Sequence, residues 1–364
     1  MEKKLNIGTN KLLSETIGVL RFPLMVCVVL IHTIIPNQEN HLIVDIFNCY
    51  IVNLFVHIAV PLFFFISGFL FFYGVDRFGR SEYWNKLKKR VKRIFVPFVF
   101  WGMLFMIIKY VSCCLGFEDV DYIFNHPLKW IYFVLWNPIN FPLWFVRDLI
   151  FVIIISPLIY MLIKRLKIVS VIFMGFAWLF YHGNIFELFG IELYLRTSNI
   201  FNVVGCNFVP LFFFSFGAWF VLEKRDFALD FKRLFPMAII VFVVCTIGKF
   251  VIANEYWAEV SKIAIISGLM SAVVIVYELV KKGWMKRNLF LENGSQFIYY
   301  YHAIFLMYYM KILYYFDVFD VDNELFILGV YISIPIITIL LGLWLYKVGM
   351  RYMPRVMNFV LGLK

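Results

Sequence analysis

Charged residues are scarce in this chain of 364 residues, at 16%, whereas 63% of the residues are hydrophobic and 21% are aromatic. A water-soluble domain of this length carries more charge, so the composition excludes a soluble globular protein. Long apolar segments with few charges are typical of helices that cross a membrane. The sequence therefore predicts an all-α, polytopic membrane protein.

Histidine and cysteine, which often bind transition metals, each occur only six times. The histidines form no HxxxH or HExxH pair and the cysteines form no CxxC pair, although these spacings are the ones typical of zinc sites. We therefore expect no metal site. The same cysteine positions predict no disulfide framework.

Acidic residues are the rarer charges, and the formal net charge is +11 at pH 7. A basic protein is a candidate for nucleic-acid binding, but here most lysines and arginines lie in short segments between apolar spans. These segments include residues 74–93, 164–167, 223–233 and 281–294. Basic loops mark the cytoplasmic side of a membrane protein. We therefore expect cytoplasmic termini, membrane lipids as partners and no nucleic acid.

The apolar segments predict about ten transmembrane helices within a single integral-membrane domain, residues 1–364. No cleavable signal peptide is expected, because the first apolar segment is too long and lacks a small-residue cleavage site. The predicted spans are residues 16–36, 50–73, 94–115, 143–163, 168–182, 201–222, 234–253, 261–280, 295–316 and 325–346.

The first predicted span, TIGVLRFPLMVCVVLIHTIIP, contains two ionisable residues, Arg21 and His32. Eleven residues make about three helical turns, so both side chains fall on one helix face, roughly 16 Å apart. Ionisable groups inside a span are costly and are therefore functional candidates. The alternatives are an arginine that extends to the lipid headgroups and a histidine that bonds to a neighbouring helix.

The most basic segment, WNKLKKRVKRIFVPF, leads into the third predicted span. It contains Lys89, Arg90 and Arg93, and the two arginines are about one helical turn apart. One interpretation is a topology signal that attracts anionic lipid. The other is a site that grips a phosphorylated ligand at the membrane face.

Two phenylalanine-rich segments are similar, VPLFFFISGFLFF in the second span and VPLFFFSFGAWF in the sixth. Both place a glycine late in the segment, Gly68 and Gly217. An internal duplication would explain the similarity. In a chain with 44 phenylalanines, chance is the alternative.

Two further segments contain candidate residues. Trp144 and Arg147 lie in LWFVRDL, where aromatic side chains fit either a belt at the membrane interface or a sugar-binding surface. His302 lies in GSQFIYYYHAIFL at the start of the ninth span, and a hydrogen-bonded structural histidine is the alternative there.

Taken together, these motifs resemble those of the integral-membrane acyltransferases of the acyltransferase-3 type. The resemblance covers nearly the whole chain. It rests on the first-span pair Arg21 and His32, the VPLFFFISGFL segment, KKRVKRIFVP with Arg90, Arg93 and Pro97, LWFVRDL, and Gly294, Ser295, Ile298, Tyr299 and His302.

The resemblance implies a multi-pass enzyme of the inner (cytoplasmic) membrane. It would move an acyl group, often acetyl, from cytoplasmic acyl-CoA to a carbohydrate acceptor at the cell surface or on a lipid. On this hypothesis the catalytic residues are His32 and Arg21, and His32 is a general base or a covalent acyl carrier. The expected donor-binding residues are Arg21, Lys89, Arg90, Arg93 and His302, and the expected acceptor-binding residues are Trp144 and Arg147.

The predicted span boundaries also limit where the two histidines lie. His32 is about 16 residues into its span and His302 about 7, a difference in depth of roughly 13 Å. We therefore expect a shared cavity, with His302 on the donor side, but no direct contact unless helix tilt or a broken helix closes the gap. A flippase or transporter of a lipid-linked glycan is the main alternative function, and a sensor or assembly factor without chemistry is the third.

Overall fold

A computed structural model describes residues 7–33, 42–75, 78–117, 124, 126–180, 208–248 and 254–363. Every secondary-structure element in these ranges is a helix, and they contain no strand. The predicted all-α fold is therefore confirmed for the part of the chain that the structure describes.

The α-helices are numbered here in chain order. They are α1 (Ile7–Ile31), α2 (Leu42–Phe47), α3 (Ala59–Phe72), α4 (Arg80–Arg90), α5 (Val96–Cys114), α6 (Pro127–Ile131), α7 (Trp144–Ile154), α8 (Ser156–Leu166), α9 (Ile168–Phe180), α10 (Phe208–Leu222), α11 (Phe227–Gly248), α12 (Asn254–Lys281), α13 (Leu289–Tyr315), α14 (Glu324–Tyr352) and α15 (Pro354–Val360).

Shorter segments of π-helix and 3₁₀-helix extend or join several of these helices. The π-helical segments are Asn48–Phe55, Val91–Phe95 and Tyr132–Trp136, and the 3₁₀ segments are Val56–Ile58, Phe141–Leu143 and Val318–Asp320.

Within the described residues, six helices are long and apolar enough to cross a membrane, or seven if one bent pair counts as a span. The bent pair is Leu128–Trp136 with Phe141–Ile154, which meet at 67°. A multi-pass membrane protein is thus supported. The parts of the predicted spans at residues 34–36, 181–182, 201–207 and 249–253 lie outside the described residues.

The prediction of one helix over residues 143–163 is wrong. Helix α7 ends at Ile154 and α8 begins at Ser156. The second residue of α8 is Pro157, which has no backbone N–H to continue the hydrogen-bond ladder of α7. Proline is well accommodated in the first turn of a helix, so a new helix begins there.

The described chain forms two compact units. Unit 1 comprises Met1–Ile31, Gln38–Asp76 and Ser156–Glu292. Its core is rich in phenylalanine, and Phe65 contacts the rings of Phe220, Phe227 and Phe231 at centroid distances between 5.1 and 5.8 Å. Edge-to-face ring contacts of this kind add to the stability gained from burial.

Within unit 1 the two phenylalanine-rich segments pack directly against each other. A Cβ atom at Gly68 would overlap the backbone of Phe214, and one at Gly217 would overlap the backbone of Phe65. Each phenylalanine lies three residues before the glycine of its own helix, so the contact is reciprocal. Glycine allows such close backbone approach. An internal duplication stays a prediction.

Unit 2 comprises His32–Asn37, Arg77–Ile155 and Asn293–Lys364. Its core includes Trp101, whose ring stacks on Tyr300 at 5.7 Å. The indole Nε1–H of Trp101 donates to the carbonyl of Val360 at 2.9 Å, and the Gln296 side chain donates to Leu361 at 2.6 Å. These hydrogen bonds hold the C-terminal end of helix α15 against α5 and α13 within unit 2.

Candidate active site

The two histidines singled out by the sequence lie side by side in unit 2. The ring centroids of His32 and His302 are 5.2 Å apart, with 57° between the ring planes. His32 directly follows the last residue of α1 and is partly buried, whereas His302 lies within α13 and is fully buried. The expectation that the pair makes no direct contact is therefore wrong.

The error came from assuming that both spans begin at one level. Within unit 1, Arg21 of α1 forms an ion pair with Glu292, which lies in the first turn of α13 and before the predicted start at residue 295. The helix that carries His302 thus begins earlier than expected, and its residues lie at different levels from those the prediction assumed.

One hydrogen bond fixes the protonation pattern of the neutral His302 ring. Its Nδ1 atom lies 3.0 Å from the carbonyl oxygen of Ile298, one turn earlier in α13. A carbonyl only accepts, so Nδ1 carries the proton and donates it. The Nε2 atom then carries a lone pair, and it has no hydrogen-bond partner among the described residues. The ring is held in the form that can accept a proton or a hydrogen bond.

The 3₁₀ segment Phe141–Leu143 contacts both histidine-bearing elements. The ring of Phe141 meets His32 edge to face at a centroid distance of 6.0 Å. The hydroxyl of Tyr299 donates to the carbonyl of Pro142 at 2.5 Å, and the Tyr299 ring lies 6.2 Å from His302. The bend between the two halves of the bent pair is therefore part of the candidate site.

The predicted acceptor-binding residues, Trp144 and Arg147, both lie on α7 in unit 2. The guanidinium of Arg147 donates to the carbonyl of Trp136 at 2.7 Å and to the buried carboxylate of Asp148 at 2.8 Å. Arg147 thereby ties the two halves of the bent pair together. A role of either residue in acceptor binding stays a prediction.

Arg21 lies in unit 1, in an ion pair that sequence reasoning did not foresee. The Glu292 carboxylate, 3% exposed, accepts from Arg21 and from Arg287, the latter at 2.5 and 3.0 Å. This interaction raises the pKa of the Arg287 guanidinium. The three side chains line a pocket of about 170 Å³. The sequence feature that could have indicated the Arg21–Glu292 pair is spacing, because Glu292 precedes His302 by ten residues and Arg21 precedes His32 by eleven.

The basic segment is helical throughout, so Arg90 and Arg93 lie about one helical turn apart, as expected. Helix α4 begins at Arg80 and carries Lys89 and Arg90, and Arg93 lies in the π-helical segment Val91–Phe95. Pro97 has no N–H for the carbonyl of Arg93, and the N–H of Val96 bonds to the carbonyl of Val91 instead. Proline thus explains the local widening of the helix, a feature frequent at functional sites.

Within unit 2, the C-terminal segment packs against the end of the basic segment, residues 89–93, which we call the basic turn. A Cβ atom at Gly362 would meet the backbone of Arg93, and Gly362 has a φ of +61°, which glycine adopts readily. Beside it lies a pocket of about 290 Å³, lined by Lys92, Val96, Asn358, Phe359, Gly362 and Leu363. The basic turn is therefore next to a cavity.

No group of three or more His, Cys, Asp or Glu side chains that could hold a metal ion occurs within the ranges that the structure describes. The chemistry-bearing groups that are brought together are instead His32, His302 and Tyr299 in unit 2, and Arg21, Arg287 and Glu292 in unit 1.

Comparison with known proteins gives one family and one relative. Residues 15–359 match the acyltransferase-3 family, described as an acyltransferase domain. The chain is also 32% identical over 137 residues to the succinoglycan biosynthesis protein ExoH of Rhizobium meliloti (strain 1021). That match covers 36% of this chain and 36% of the relative. No solved structure matches the chain.

Proposed function

We propose that this chain, which belongs to the acyltransferase-3 family, moves an acyl group from cytoplasmic acyl-CoA to a carbohydrate hydroxyl. Acetyl is the acyl group we favour. The acceptor is a cell-surface or lipid-linked glycan, which is consistent with a relative named for succinoglycan biosynthesis.

The observation that carries this proposal is the contact between His32 and His302. Imidazole titrates near neutral pH, so a histidine suits the removal of a proton from a hydroxyl group. His302 is buried and its Nε2 atom has no hydrogen-bond partner among the described residues, whereas a purely structural histidine would satisfy both ring nitrogens.

In the proposed reaction, His32 accepts the proton of the acceptor hydroxyl as its oxygen attacks the thioester carbonyl. A new C–O bond forms and the C–S bond breaks. The thiolate of coenzyme A leaves and takes up the proton from His32, so the ring returns to its neutral form. His302 lies against His32 on the donor side and orients the acyl thioester.

Donor binding in this proposal uses the positive charges at the start of the third span. Coenzyme A carries several phosphate charges, and arginine binds phosphate through paired hydrogen bonds. Lys89, Arg90 and Arg93 follow one another along a continuous helix, and Lys92 of the same helix lines the 290 Å³ pocket. Arg21 is proposed as a further donor contact, together with Arg287, with which it shares Glu292.

Acceptor binding is proposed for Trp144 and Arg147. Both lie on α7, which follows directly on the segment whose Phe141 contacts His32. A tryptophan face and a guanidinium are groups that pack against and hydrogen-bond to sugars. Arg147 also bonds to the carbonyl of Trp136, so it would orient this surface as well as contact the acceptor.

We further propose ten spans, cytoplasmic termini and the inner membrane as the location. The support is the concentration of lysine and arginine in alternate loops, which marks the cytoplasmic face. This orientation gives the basic turn access to cytoplasmic acyl-CoA.

The protein purified in lipid nanodiscs and incubated with acetyl-CoA, with water taking the place of the acceptor hydroxyl, tests the reaction class by thioester hydrolysis. An acyltransferase binds the thioester and releases free coenzyme A thiol, and His32→Asn abolishes the release without loss of folded protein. His57→Asn is the matched control, because His57 is an exposed histidine in another candidate span. A flippase or transporter would show neither donor binding nor thiol release, and that result would reject the proposal.

A further inference from the structure

Asn140 is a buried polar residue with an unusual hydrogen-bond balance. It is 1% exposed, and neither its side-chain Nδ2 nor its Oδ1 has a hydrogen-bond partner among the described residues. Its backbone is used normally, since the carbonyl accepts from the N–H of Leu143 at 2.9 Å. The anomaly is confined to the carboxamide.

An unsatisfied buried amide is destabilising. A buried donor or acceptor without a partner loses its hydrogen bonds to water and gains none in return, whereas an apolar side chain of the same shape carries no such cost. Folded proteins satisfy most of their buried polar groups, and an exception calls for an explanation such as a catalytic role. The carboxamide of Asn140 is therefore a candidate for contact with a ligand.

The position of Asn140 in the chain places it next to the residues of the candidate active site. The next residue, Phe141, contacts the ring of His32, and the residue after that, Pro142, accepts a hydrogen bond from Tyr299. Tyr299 in turn lies against His302. Asn140 thus directly precedes the 3₁₀ segment that contacts both histidine-bearing elements. Its carboxamide is a neutral side-chain donor, which neither Phe141 nor Pro142 supplies.

We propose that Asn140 is a further catalytic residue, whose Nδ2–H donates a hydrogen bond to the acyl carbonyl oxygen during transfer. This inference rests on the function proposed above. As the acceptor oxygen attacks, the carbonyl oxygen gains negative charge and needs a donor that is already in place. A carboxamide N–H suits this role, because it stays neutral and exchanges no proton with the substrate.

The test uses Asn140→Leu, which keeps the approximate shape of the side chain and removes both polar atoms, together with Asn140→Ala. Asn137→Ala is the matched control, because Asn137 lies three residues earlier in the same bend and is exposed. Three quantities are measured in nanodiscs: kcat for acyl-CoA thiol release, donor affinity and the thermal unfolding midpoint.

The proposal predicts that kcat of Asn140→Leu falls about 10²–10³-fold, the range for loss of one such donor. Donor affinity stays within about threefold and the unfolding midpoint does not fall, because an unsatisfied buried amide has been removed. Asn137→Ala behaves as the wild type. A kcat of Asn140→Leu within threefold of the wild type would overturn the proposal.

A lower unfolding midpoint in both Asn140 variants would also overturn it, because that result assigns the residue a structural role. If the wild-type protein releases no thiol from acyl-CoA, the proposed function itself fails and this inference fails with it. If the wild type and Asn140→Leu are equally active, only the inference on Asn140 fails.

Discussion

Glu292 is the acidic residue that pairs with both arginines of the 170 Å³ pocket in unit 1. Its buried carboxylate accepts from Arg21 and Arg287, and the two guanidinium groups are each 38% exposed. A carboxylate between two arginines offsets their mutual repulsion. Removing one partner of such a cluster leaves uncompensated charge, which costs more than the intact cluster contributes.

We therefore expect Glu292→Gln to destabilise the protein by about 1–3 kcal/mol, since a hydrogen bond to a charged group is lost at a buried site. The measurement is the thermal unfolding midpoint in nanodiscs. Glu278→Gln is the control, because Glu278 pairs with Lys232 at 2.7 Å but is 29% exposed, where ion pairs contribute little. Equal midpoints for the two variants would contradict the role assigned to Glu292.

At the level of residues, the sequence identifies His32 and His302 as candidates because ionisable groups inside spans are rare. It does not show that they touch, because contact depends on the levels of two helices that no local pattern determines. Asn140 escapes sequence reasoning for a different reason. An asparagine near two prolines, Pro138 and Pro142, is typical of a turn, and only burial makes its carboxamide unusual.

The helix that contains the basic turn is the element on which the proposed donor binding depends. It runs without interruption from Arg80 to Cys114 as a candidate span. Positive side chains along one continuous helix keep a fixed spacing, which a flexible loop would not provide. The widening at Val91–Phe95 follows from Pro97 and was predictable in kind, since proline removes a backbone donor.

We expect Arg90→Gln combined with Arg93→Gln to weaken acyl-CoA binding by about tenfold or more, because two charged phosphate contacts are removed. The residual affinity should depend less on salt than that of the wild type, since fewer charge contacts remain to be screened. Titration of acetyl-CoA at two salt concentrations measures both effects.

The control for this double variant is Lys281→Gln with Lys282→Gln, which removes the same number of charges from another basic segment. This control should bind the donor as the wild type does. Donor affinity that is unchanged in the arginine variant, or equally reduced in both variants, would remove the basic turn from the donor site.

The bent pair is an element that sequence reasoning described only in part. The motif LWFVRDL drew attention to α7, but the break at Ile155 and the 67° bend were not predicted. Both depend on prolines that are visible in the sequence, at positions 138, 142 and 157. Their effect on direction depends on packing within unit 2, which a local pattern does not encode.

For the whole molecule, composition alone predicts the all-α, multi-pass class, because an apolar chain of this length has few other ways to satisfy its backbone in lipid. The number of spans depends on which short or bent helices cross the membrane. Helices α9 and α10 are apolar but short, and six to seven long candidates are identified among the described residues. The proposal of ten spans with cytoplasmic termini therefore needs its own test.

Single cysteines, introduced after the native cysteines are replaced by serine, test this orientation. Lys282→Cys should react with a membrane-impermeant maleimide only after the cells are opened, because the proposed topology places the basic residues 281–294 in the cytoplasm. Asp322→Cys, in the acidic connection between α13 and α14, should react in intact cells. The opposite labelling pattern would reverse the proposed topology and place the basic turn away from acyl-CoA.

The central claim is that this membrane protein transfers an acyl group by means of the His32–His302 pair. The most direct measurement is the mass of surface carbohydrate from cells that lack the gene and carry wild-type protein, His32→Asn or His57→Asn, at equal protein levels. The account predicts acylated carbohydrate with the wild type and His57→Asn, and none with His32→Asn. Equal acylation with His32→Asn, or acylation that persists without the gene, would contradict it.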